Sequence, residues 1–191
     1  MMKFFQRKAP ATALTPAVEL PRLPDLNINI VKRFASSDWK LGEIHGLSHW
    51  QRVERNGIIL SLEKRNGAFC IRKDINITVV RLFAYLHDKC RLDDGWDFEH
   101  GIRAAKMLHS IRRTLLKELS DNEFSLLEKA CELHTTEHKT GEPTIDTCFD
   151  ADRLDLNRVG IEPSPNKMAT EQGAYYAEYP DKLEQIKSLL F

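Results

Sequence analysis

The chain has 191 residues, of which 42% are hydrophobic and 29% charged, as is usual for a globular protein. Its 28 Lys and Arg residues balance its 28 Asp and Glu residues, so no net charge draws it to nucleic acid or to an anionic membrane. The four cysteines form no C-x-x-C pair, which indicates a reducing compartment. No apolar run approaches the roughly 18 residues of a membrane span, and prolines interrupt the basic N-terminus, which argues against a signal peptide. We therefore expect a cytoplasmic protein without a nucleic-acid or membrane partner.

Residues 1–38 are predicted to form an N-terminal arm that is rich in proline and includes a short amphipathic helix between Leu26 and Ala35. The remaining residues, 39–191, are predicted to form one helical domain. The sequence also suggests a homo-oligomer, because the arm and an apolar C-terminus offer contact surface. The C-terminal residues concerned are Ile186, Leu189, Leu190 and Phe191.

Helical spacing dominates the sequence from Ser48 onward. A first helix carries His49 on an apolar stripe that runs as far as Lys64, and the dipeptide Asn66-Gly67 is expected to end it. Residues 74–88 are apolar and rich in β-branched residues at their start, so a strand is conceivable there. Their helical spacing and their length favour a buried helix.

Further helices complete an all-α fold, which we expect to be a compact helical bundle. Ser120 and Glu123 form a capping box at the start of one of them, and Gly160 is expected to end another. In the helix over 97–119, Ile102 and His109 are predicted to face the core, and Gly141–Pro143 is predicted to be a loop. The predicted helices are 97–119, 121–134, 148–159, 168–178 and 180–190.

Histidine and aspartate residues are the chemically informative feature. Several of the seven histidines lie on predicted buried faces, where a neutral imidazole needs a partner. His87 is followed directly by Asp88, and a later helix carries Asp150, Asp152 and Asp155. Imidazole and carboxylate together are the ligands of transition metals, and a buried carboxylate requires a cation or several donors. Each residue also has a structural explanation, as a core or capping histidine or as an aspartate on a solvated face.

Taken in order, His49, the pair His87-Asp88 and Asp152 resemble the H…HD…D signature of HD-domain phosphohydrolases. His49-Trp50-Gln51-Arg52-Val53 is similar to the first motif of that family, and residues 82–88 resemble the apolar helix that delivers its paired ligands. Residues 150–155 resemble its closing motif. The resemblance covers roughly residues 45–160 and implies an HD-type bundle with a metal-dependent phosphohydrolase activity.

Two further segments are similar to the subset of this family that binds two metals. They are His100-Gly101, followed by Ala104-Ala105, and Leu133-His134-Thr135. The resemblance implies that His49, His87 and Asp152 hold one metal, that His100 and His134 hold a second, and that Asp88 bridges them. The alternative is one metal, with His100 and His134 in supporting or substrate-binding roles.

The implied cofactor is a divalent transition metal, one or two ions per chain, such as Fe, Mn, Ni, Co or Zn. The Gly-Tyr-Pro motif of the family's cyclic-dinucleotide phosphodiesterases is absent from the sequence, which argues against cleavage of cyclic-di-GMP.

Cationic side chains beside the ligand motifs are candidates for binding a phosphorylated small molecule. Lys89, Arg91 and Arg153 are predicted to contact substrate, and Asp88, Lys89 and Arg91 are the catalytic candidates; the alternative is that these cations pair with nearby aspartates. His45 is either a substrate contact or a residue at the start of a helix. The loop 92–97 is expected to rim the pocket, where Trp96 either stacks on a nucleobase or packs against the protein.

The leading hypothesis is hydrolysis of a phosphate ester or anhydride, with a nucleotide or a related small molecule as the substrate. A bound divalent metal lowers the pKa of its water from about 15.7 toward 7, which makes hydroxide available at neutral pH. The same ligands also support a di-iron oxygenase related to myo-inositol oxygenase. A third hypothesis is a non-catalytic ligand-binding module that retains metal as a clamp.

Overall fold

The computed structural model describes residues 20–23 and 27–191. Within these residues the chain is mainly helical, with eight α-helices, a two-stranded antiparallel sheet and two short 3-10 helices, Leu156–Val159 and Pro165–Lys167. The expectation of a mainly helical protein is confirmed. In chain order the elements are α1 (Ile28–Ser36), α2 (Leu47–Leu60), β1 (Leu62–Arg65), β2 (Ala68–Ile71), α3 (Ile77–Leu86), α4 (His100–Ile111), α5 (Asp121–Leu133), α6 (Pro143–Arg153), α7 (Glu171–Glu178) and α8 (Pro180–Leu190).

The N-terminal arm is described only in part. Its predicted short helix corresponds to α1, while residues 1–19 and 24–26 lie outside the described residues. None of the described helices combines the length and the apolarity that crossing a membrane requires.

The apolar segment before His87 forms the central helix of the bundle, as predicted. Asn76 caps α3 by accepting a hydrogen bond from the backbone N–H of Val79 at 3.2 Å. Every residue of α3 except Thr78 is buried, and the helix packs against α1, α2, α5 and α6. Because α3 is surrounded on all sides, the two residues that follow it, His87 and Asp88, lie in the middle of the molecule.

The prediction that the first long helix continues to Lys64 is wrong. Helix α2 ends at Leu60, and the chain then forms the hairpin of β1 and β2, in which Leu62 pairs with Ile71. Asn66 and Gly67 have φ values of 50° and 82° and make the turn between the strands. A two-residue hairpin turn needs positive φ at both central positions, which Asn and Gly tolerate best. The Asn-Gly pair therefore indicates a hairpin here and not the end of a helix.

Two other predicted helices have different bounds. Helix α4 ends at Ile111 and not at Leu119, because Arg112 donates hydrogen bonds to the carbonyls of Leu116 and Leu119 and stabilises a turn there. Ile102 and His109 are exposed, which corrects their predicted place in the core.

Helix α6 begins at Pro143, within the predicted loop, and ends at Arg153. Proline favours the first turn of a helix, since its missing N–H would have no partner there. After α6 the chain continues into a 3-10 helix, which Gly160 ends at a φ of 76°. The capping box of Ser120 and Glu123 at the start of α5 is confirmed.

Asp150 attaches the C-terminal part of the chain to α6. Its buried carboxylate accepts hydrogen bonds from the backbone N–H groups of Ala169 and Thr170 at 2.7 and 2.8 Å, and from the Thr170 hydroxyl at 2.7 Å. A Cβ atom at Gly173 would lie 2.1 Å from Asp150 Oδ2. Helix α7 therefore reaches α6 only because residue 173 is a glycine, and this contact supports the helix that carries Asp152.

Candidate metal centre and substrate cavity

The six residues predicted as metal ligands converge at one place, although five helices supply them. Two lie in helices α2 and α6, one begins α4, and three follow the ends of α3 and α5. Five of the six are buried, and the side chain of the sixth, Asp152, is 16% exposed. The residues are His49, His87, Asp88, His100, His134 and Asp152.

We call His49, His87, Asp152 and atom Oδ2 of Asp88 the inner cluster. The Nε2 atoms of His49 and His87 are 3.4 Å apart, and each lies 3.5 Å from Asp88 Oδ2. Asp152 Oδ1 lies 3.3 Å from His49 Nε2 and 3.8 Å from His87 Nε2. Four tetrahedral ligands with metal bonds of about 2.1 Å lie about 3.4 Å from one another. The inner cluster thus has the spacing that a four-ligand metal site requires.

We call His100, His134 and atom Oδ1 of Asp88 the outer cluster. The Nε2 atoms of His100 and His134 lie 2.8 Å apart, and His100 Nε2 lies 3.0 Å from Asp88 Oδ1. The ligand atoms of these three residues all lie within 4.8 Å of one another. Asp88 therefore turns one carboxylate oxygen toward each cluster, as a bridging ligand would.

Two buried carboxylate oxygens in these clusters have no hydrogen-bond partner among the described residues. They are Asp88 Oδ2 and Asp152 Oδ1, and both belong to the inner cluster. An unpaired buried carboxylate oxygen costs free energy unless a donor or a cation faces it. These oxygens fit a metal ion better than they fit the protein alone.

The four histidines are all oriented in the same way. His49 donates from Nδ1 to Asp155 Oδ2 at 2.7 Å, and His87 donates from Nδ1 to the carbonyl of Phe83 at 3.0 Å. His100 and His134 donate from Nδ1 to the carbonyls of Asp97 and Cys131, at 2.5 and 2.7 Å. An acceptor at Nδ1 fixes the tautomer and leaves the Nε2 lone pair for a metal. The lone pairs within each cluster face one another, which requires a cation or a proton between them.

The pKa values of the ligands show that the clusters require positive charge. Burial lowers the pKa of His134 to about 3 and also lowers that of His87, so both imidazoles are neutral. Burial acts to raise the pKa of Asp88, but the neighbouring histidines outweigh it and hold this pKa well below its usual value. Burial lowers the pKa of His49, yet the neighbouring carboxylates of Asp152, Asp155 and Asp88 raise it to about 10. Anionic carboxylates thus dominate the inner cluster, as a metal site demands.

Close helix contacts at two glycines bring the ligands together. A Cβ atom at Gly57 in α2 would lie 2.5 Å from Cγ1 of Val80, so the glycine lets α2 pack closely on α3. A Cβ atom at Gly101 would lie 2.5 Å from the carbonyl of Cys131 and 3.2 Å from Cε1 of His134. Because Gly101 lacks a side chain, the start of α4 contacts the end of α5, and His100 meets His134.

Asp155 and Arg52 support the inner cluster, and the sequence did not single out either for this role. Asp155 accepts hydrogen bonds from His49 Nδ1 and from Arg52 Nε, both at 2.7 Å. The available signal was spacing, since Arg52 follows His49, and Asp155 follows Asp152, by three residues, close to one helical turn. Together they hold the His49 ring in its orientation.

A cavity of about 460 Å³ opens beside the clusters. Its walls include Asp88, Asp152 and both outer histidines, whereas neither inner histidine lines it. The outer cluster is therefore the one that a molecule in the cavity would meet first.

Three arginines line this cavity, and two of them lie against the clusters. Arg91 Nη1 lies 3.6 Å from Asp88 Oδ1 and 3.0 Å from His100 Nδ1. Arg158 Nη2 lies 3.5 Å from Asp152 Oδ1. Arg153 donates to the backbone carbonyls of Glu137, His138 and Lys167, so it chiefly joins α6 to its neighbours. Arg158 was not among the residues predicted to contact substrate.

The two other residues predicted to contact substrate, His45 and Lys89, lie in different places relative to the cavity. His45 lines the cavity, and its Nδ1 lies 3.0 Å from Asp94 Oδ1. Lys89 is not among the residues that line it; its ammonium donates to the carbonyl of Ser37 and lies 5.8 Å from the centre of the Phe34 ring. The chain thus directs the Lys89 side chain toward α1 and away from the ligands, and its contact with substrate stays a prediction.

Comparison of the chain with known protein families, with curated proteins and with solved structures found no match.

Proposed function

We propose that this chain is a metal-dependent phosphohydrolase of the HD type, acting on a phosphate ester or anhydride of a nucleotide or a related small molecule. One observation carries the proposal. Four histidines, each held at Nδ1 by an acceptor, direct Nε2 at two aspartates, and two oxygens of these aspartates have no partner in the part of the chain that the structure describes. The order of these residues along the chain is the order of the HD signature, which supports the HD type.

His49, His87, Asp88 and Asp152 would hold one divalent transition metal, and Asp88, His100 and His134 a second. Such metals supply Lewis-acid chemistry, since they lower the pKa of water and offset the charge of a phosphoryl group. Imidazole and carboxylate ligands suit Fe, Mn, Co, Ni or Zn.

The residues of the chain have separate tasks in this proposal. Asp88 keeps the two clusters together because its two oxygens face different histidines. Arg91 and Arg158 supply guanidinium groups to phosphate oxygens at the cavity wall, where planar forks bind two oxygens at once. His45 contacts the substrate from the same wall. Phosphoryl transfer depends mainly on positioning and charge compensation, which these groups provide.

The arginines favour hydrolysis over the oxygenase, and the open cavity favours it over the non-catalytic module. A di-iron oxygenase has the same ligands, but guanidinium groups beside the ligands match a phosphorylated substrate more than they match O₂. A non-catalytic module with a metal clamp requires no open side to its metal site, whereas the outer histidines line a cavity.

Metal analysis of protein purified without a histidine tag tests this proposal first. The wild type and the variants Asp88→Ala and Asp181→Ala are reconstituted with metal and dialysed, and metal per chain is measured by elemental analysis. Asp181 is an exposed aspartate in α8 and serves as the control. We expect about two ions per chain in the wild type and in Asp181→Ala, and almost none in Asp88→Ala.

Turnover of a panel of phosphate esters and anhydrides by the same three proteins completes the test. The hydrolase is supported if the rate of phosphate release rises and falls with the metal content of the three proteins. Absence of metal in reconstituted wild type contradicts it, and iron with consumption of O₂ but no release of phosphate favours the oxygenase. Loss of thermal stability in Asp88→Ala, with no turnover even in the wild type, favours the non-catalytic module.

A further inference from the structure

An aromatic pair stands on the wall of the cavity that also contains the outer cluster. Trp96 is 84% exposed and Phe98 is 62% exposed, although both are large apolar side chains. Their rings stack at a centroid distance of 5.7 Å and an interplanar angle of 29°. Leu156, Val159 and Ile161 line the same cavity, and the last two are also exposed.

The loop that carries Trp96 is held in place by hydrogen bonds. Arg91 Nη2 donates to the carbonyl of Gly95 at 2.8 Å, and the N–H of Gly95 donates to Asp93 Oδ1 at 2.7 Å. Asp97 Oδ2 accepts from the N–H of Leu92 at 2.9 Å. Arg91 also lies against Asp88 Oδ1, so one side chain links the loop to the outer cluster. The backbone on either side of Trp96 is thus held in place relative to the candidate metal centre.

The cavity has two chemically different parts. Carboxylates, imidazoles and guanidinium groups form one part, while aromatic and aliphatic side chains form the other. An exposed indole keeps a large apolar area in contact with water. A ligand that covers the ring removes this area from water, which favours binding. A molecule with an anionic head and a flat apolar body is complementary to both parts.

We propose that Trp96, backed by Phe98, is the platform on which the base of a nucleoside phosphate stacks while its phosphate faces Arg91 and Arg158. This inference rests on the proposed function for the position of the phosphate, and it names the substrate class of the same site. A flat pair of rings suits a planar π-system, and stacking of a base on an aromatic side chain tolerates any base. Val159 and Ile161 offer apolar contact from the same cavity.

Two ligands that share a head but differ in the base give the test. The α,β-methylene analogue of ADP resists hydrolysis, and methylenediphosphonate carries the same head without the nucleoside. Adenosine carries the base without the head. Binding of each to metal-loaded full-length protein is measured by calorimetry, in the wild type, Trp96→Ala, Trp96→Phe and Tyr175→Ala. Tyr175 is an exposed aromatic residue in α7 that lies outside this cavity and serves as the control.

Stacking on an aromatic side chain strengthens binding by roughly 5- to 150-fold. We expect the ADP analogue to bind tighter than methylenediphosphonate by a factor in this range in the wild type and in Tyr175→Ala. Trp96→Ala removes most of this factor, Trp96→Phe keeps most of it, and methylenediphosphonate binds all four proteins alike. The platform is overturned if the two ligands bind the wild type equally, or if the factor survives in Trp96→Ala.

Tryptophan fluorescence gives a second measurement. The chain has three tryptophans, of which Trp50 is buried and Trp39 is half-buried, so Trp96 reports on the cavity. Adenosine is expected to quench the wild type and not Trp96→Phe. Quenching by adenosine without any binding of methylenediphosphonate supports the platform and contradicts the phosphohydrolase. Binding of both phosphonates with equal affinity contradicts the platform alone.

Discussion

The inner and outer clusters share Asp88, but only the inner cluster has a histidine that is held by a carboxylate. In the inner cluster a carboxylate, that of Asp155, orients His49, and Arg52 fixes that carboxylate in turn. In the outer cluster backbone carbonyls orient both His100 and His134. The inner histidines lie behind the cavity, whereas the outer histidines line it.

Under the proposed function, this difference gives the clusters separate tasks. The inner cluster would hold a metal, and the outer cluster would expose one to the cavity. The inner cluster has four candidate ligand atoms and a supporting anion, and two of its oxygens have no hydrogen-bond partner within residues 20–23 and 27–191. We therefore expect it to bind the tighter ion. The outer cluster has two histidines and one shared oxygen, so it leaves room for a molecule from the cavity. Metal sites that act on substrate keep such an open position.

Truncating one histidine of each cluster gives the largest expected difference. His87→Ala removes a fully buried ligand of the inner cluster, so we expect loss of the tight ion and a fall in the free energy of unfolding of about 2–5 kcal/mol, as for other large buried side chains. His134→Ala is expected to remove only the outer ion. Metal analysis and urea unfolding measure both effects; retention of both ions by His87→Ala would contradict the assignment.

The second-largest effect is expected from weakening the hydrogen bond between His49 and Asp155. Asp155→Asn keeps the shape of the side chain but removes its charge, so we expect the inner metal to bind about 10- to 100-fold more weakly. Competition with a chelator of known affinity measures the change. Asp94→Asn is the control, since Asp94 contacts His45, a histidine outside both clusters. Equal losses in the two variants would show that charge alone matters, without the contact to His49.

The close approach at Gly101 tests the outer cluster in isolation. Gly101→Ala places a methyl group against the carbonyl of Cys131, which we expect to cost about 1–3 kcal/mol of stability and to remove the outer ion. Gly173→Ala creates a similar overlap with Asp150, away from α4 and α5. It should lower stability while the outer cluster keeps its ion, because Asp150 lies in the helix that carries Asp152 of the inner cluster. The interpretation fails if Gly101→Ala retains its full metal content.

The smallest effect is expected at the N-terminal end of α5, opposite the end that carries His134. Ser120→Ala removes the N-cap of that helix, which typically costs about 1 kcal/mol. For a chain of this size the melting temperature should fall by roughly 2–4 °C, as calorimetry can measure. Metal content should not change, because His134 lies at the opposite end of the helix. Ser110 is exposed, so Ser110→Ala serves as a control for the loss of a hydroxyl group.

Local patterns were sufficient where one segment carries the whole signal. The apolar spacing before His87 predicted α3, and the capping box of Ser120 and Glu123 predicted the start of α5. They were insufficient where a signal has two meanings. Asn66-Gly67 suits both the end of a helix and a hairpin, since both need positive φ, and only strand pairing distinguishes them. Periodicity likewise did not show that Ile102 faces solvent, because the neighbours of α4 decide which of its faces is covered.

The residues around the site show the same division. Six predicted ligands lie together, although their binding of metal remains a proposal. Lys89 follows Asp88 directly and yet contacts Ser37, because neighbours in sequence need not point in one direction after a helix ends. Arg158 lies 3.5 Å from Asp152, a contact that their separation of six residues did not reveal.

The sequence by itself determined the mainly helical class, the central apolar helix and the kinds of ligand that the chain offers. Only the tertiary structure decided which nitrogen of each histidine is available, which oxygen of Asp88 faces which cluster, and where the cavity opens. The physical reason is that these features depend on contacts between distant segments. His49 is oriented by the hydrogen bond that it donates to Asp155, 106 residues away, and the packing of α2, α3 and α6 brings the two together.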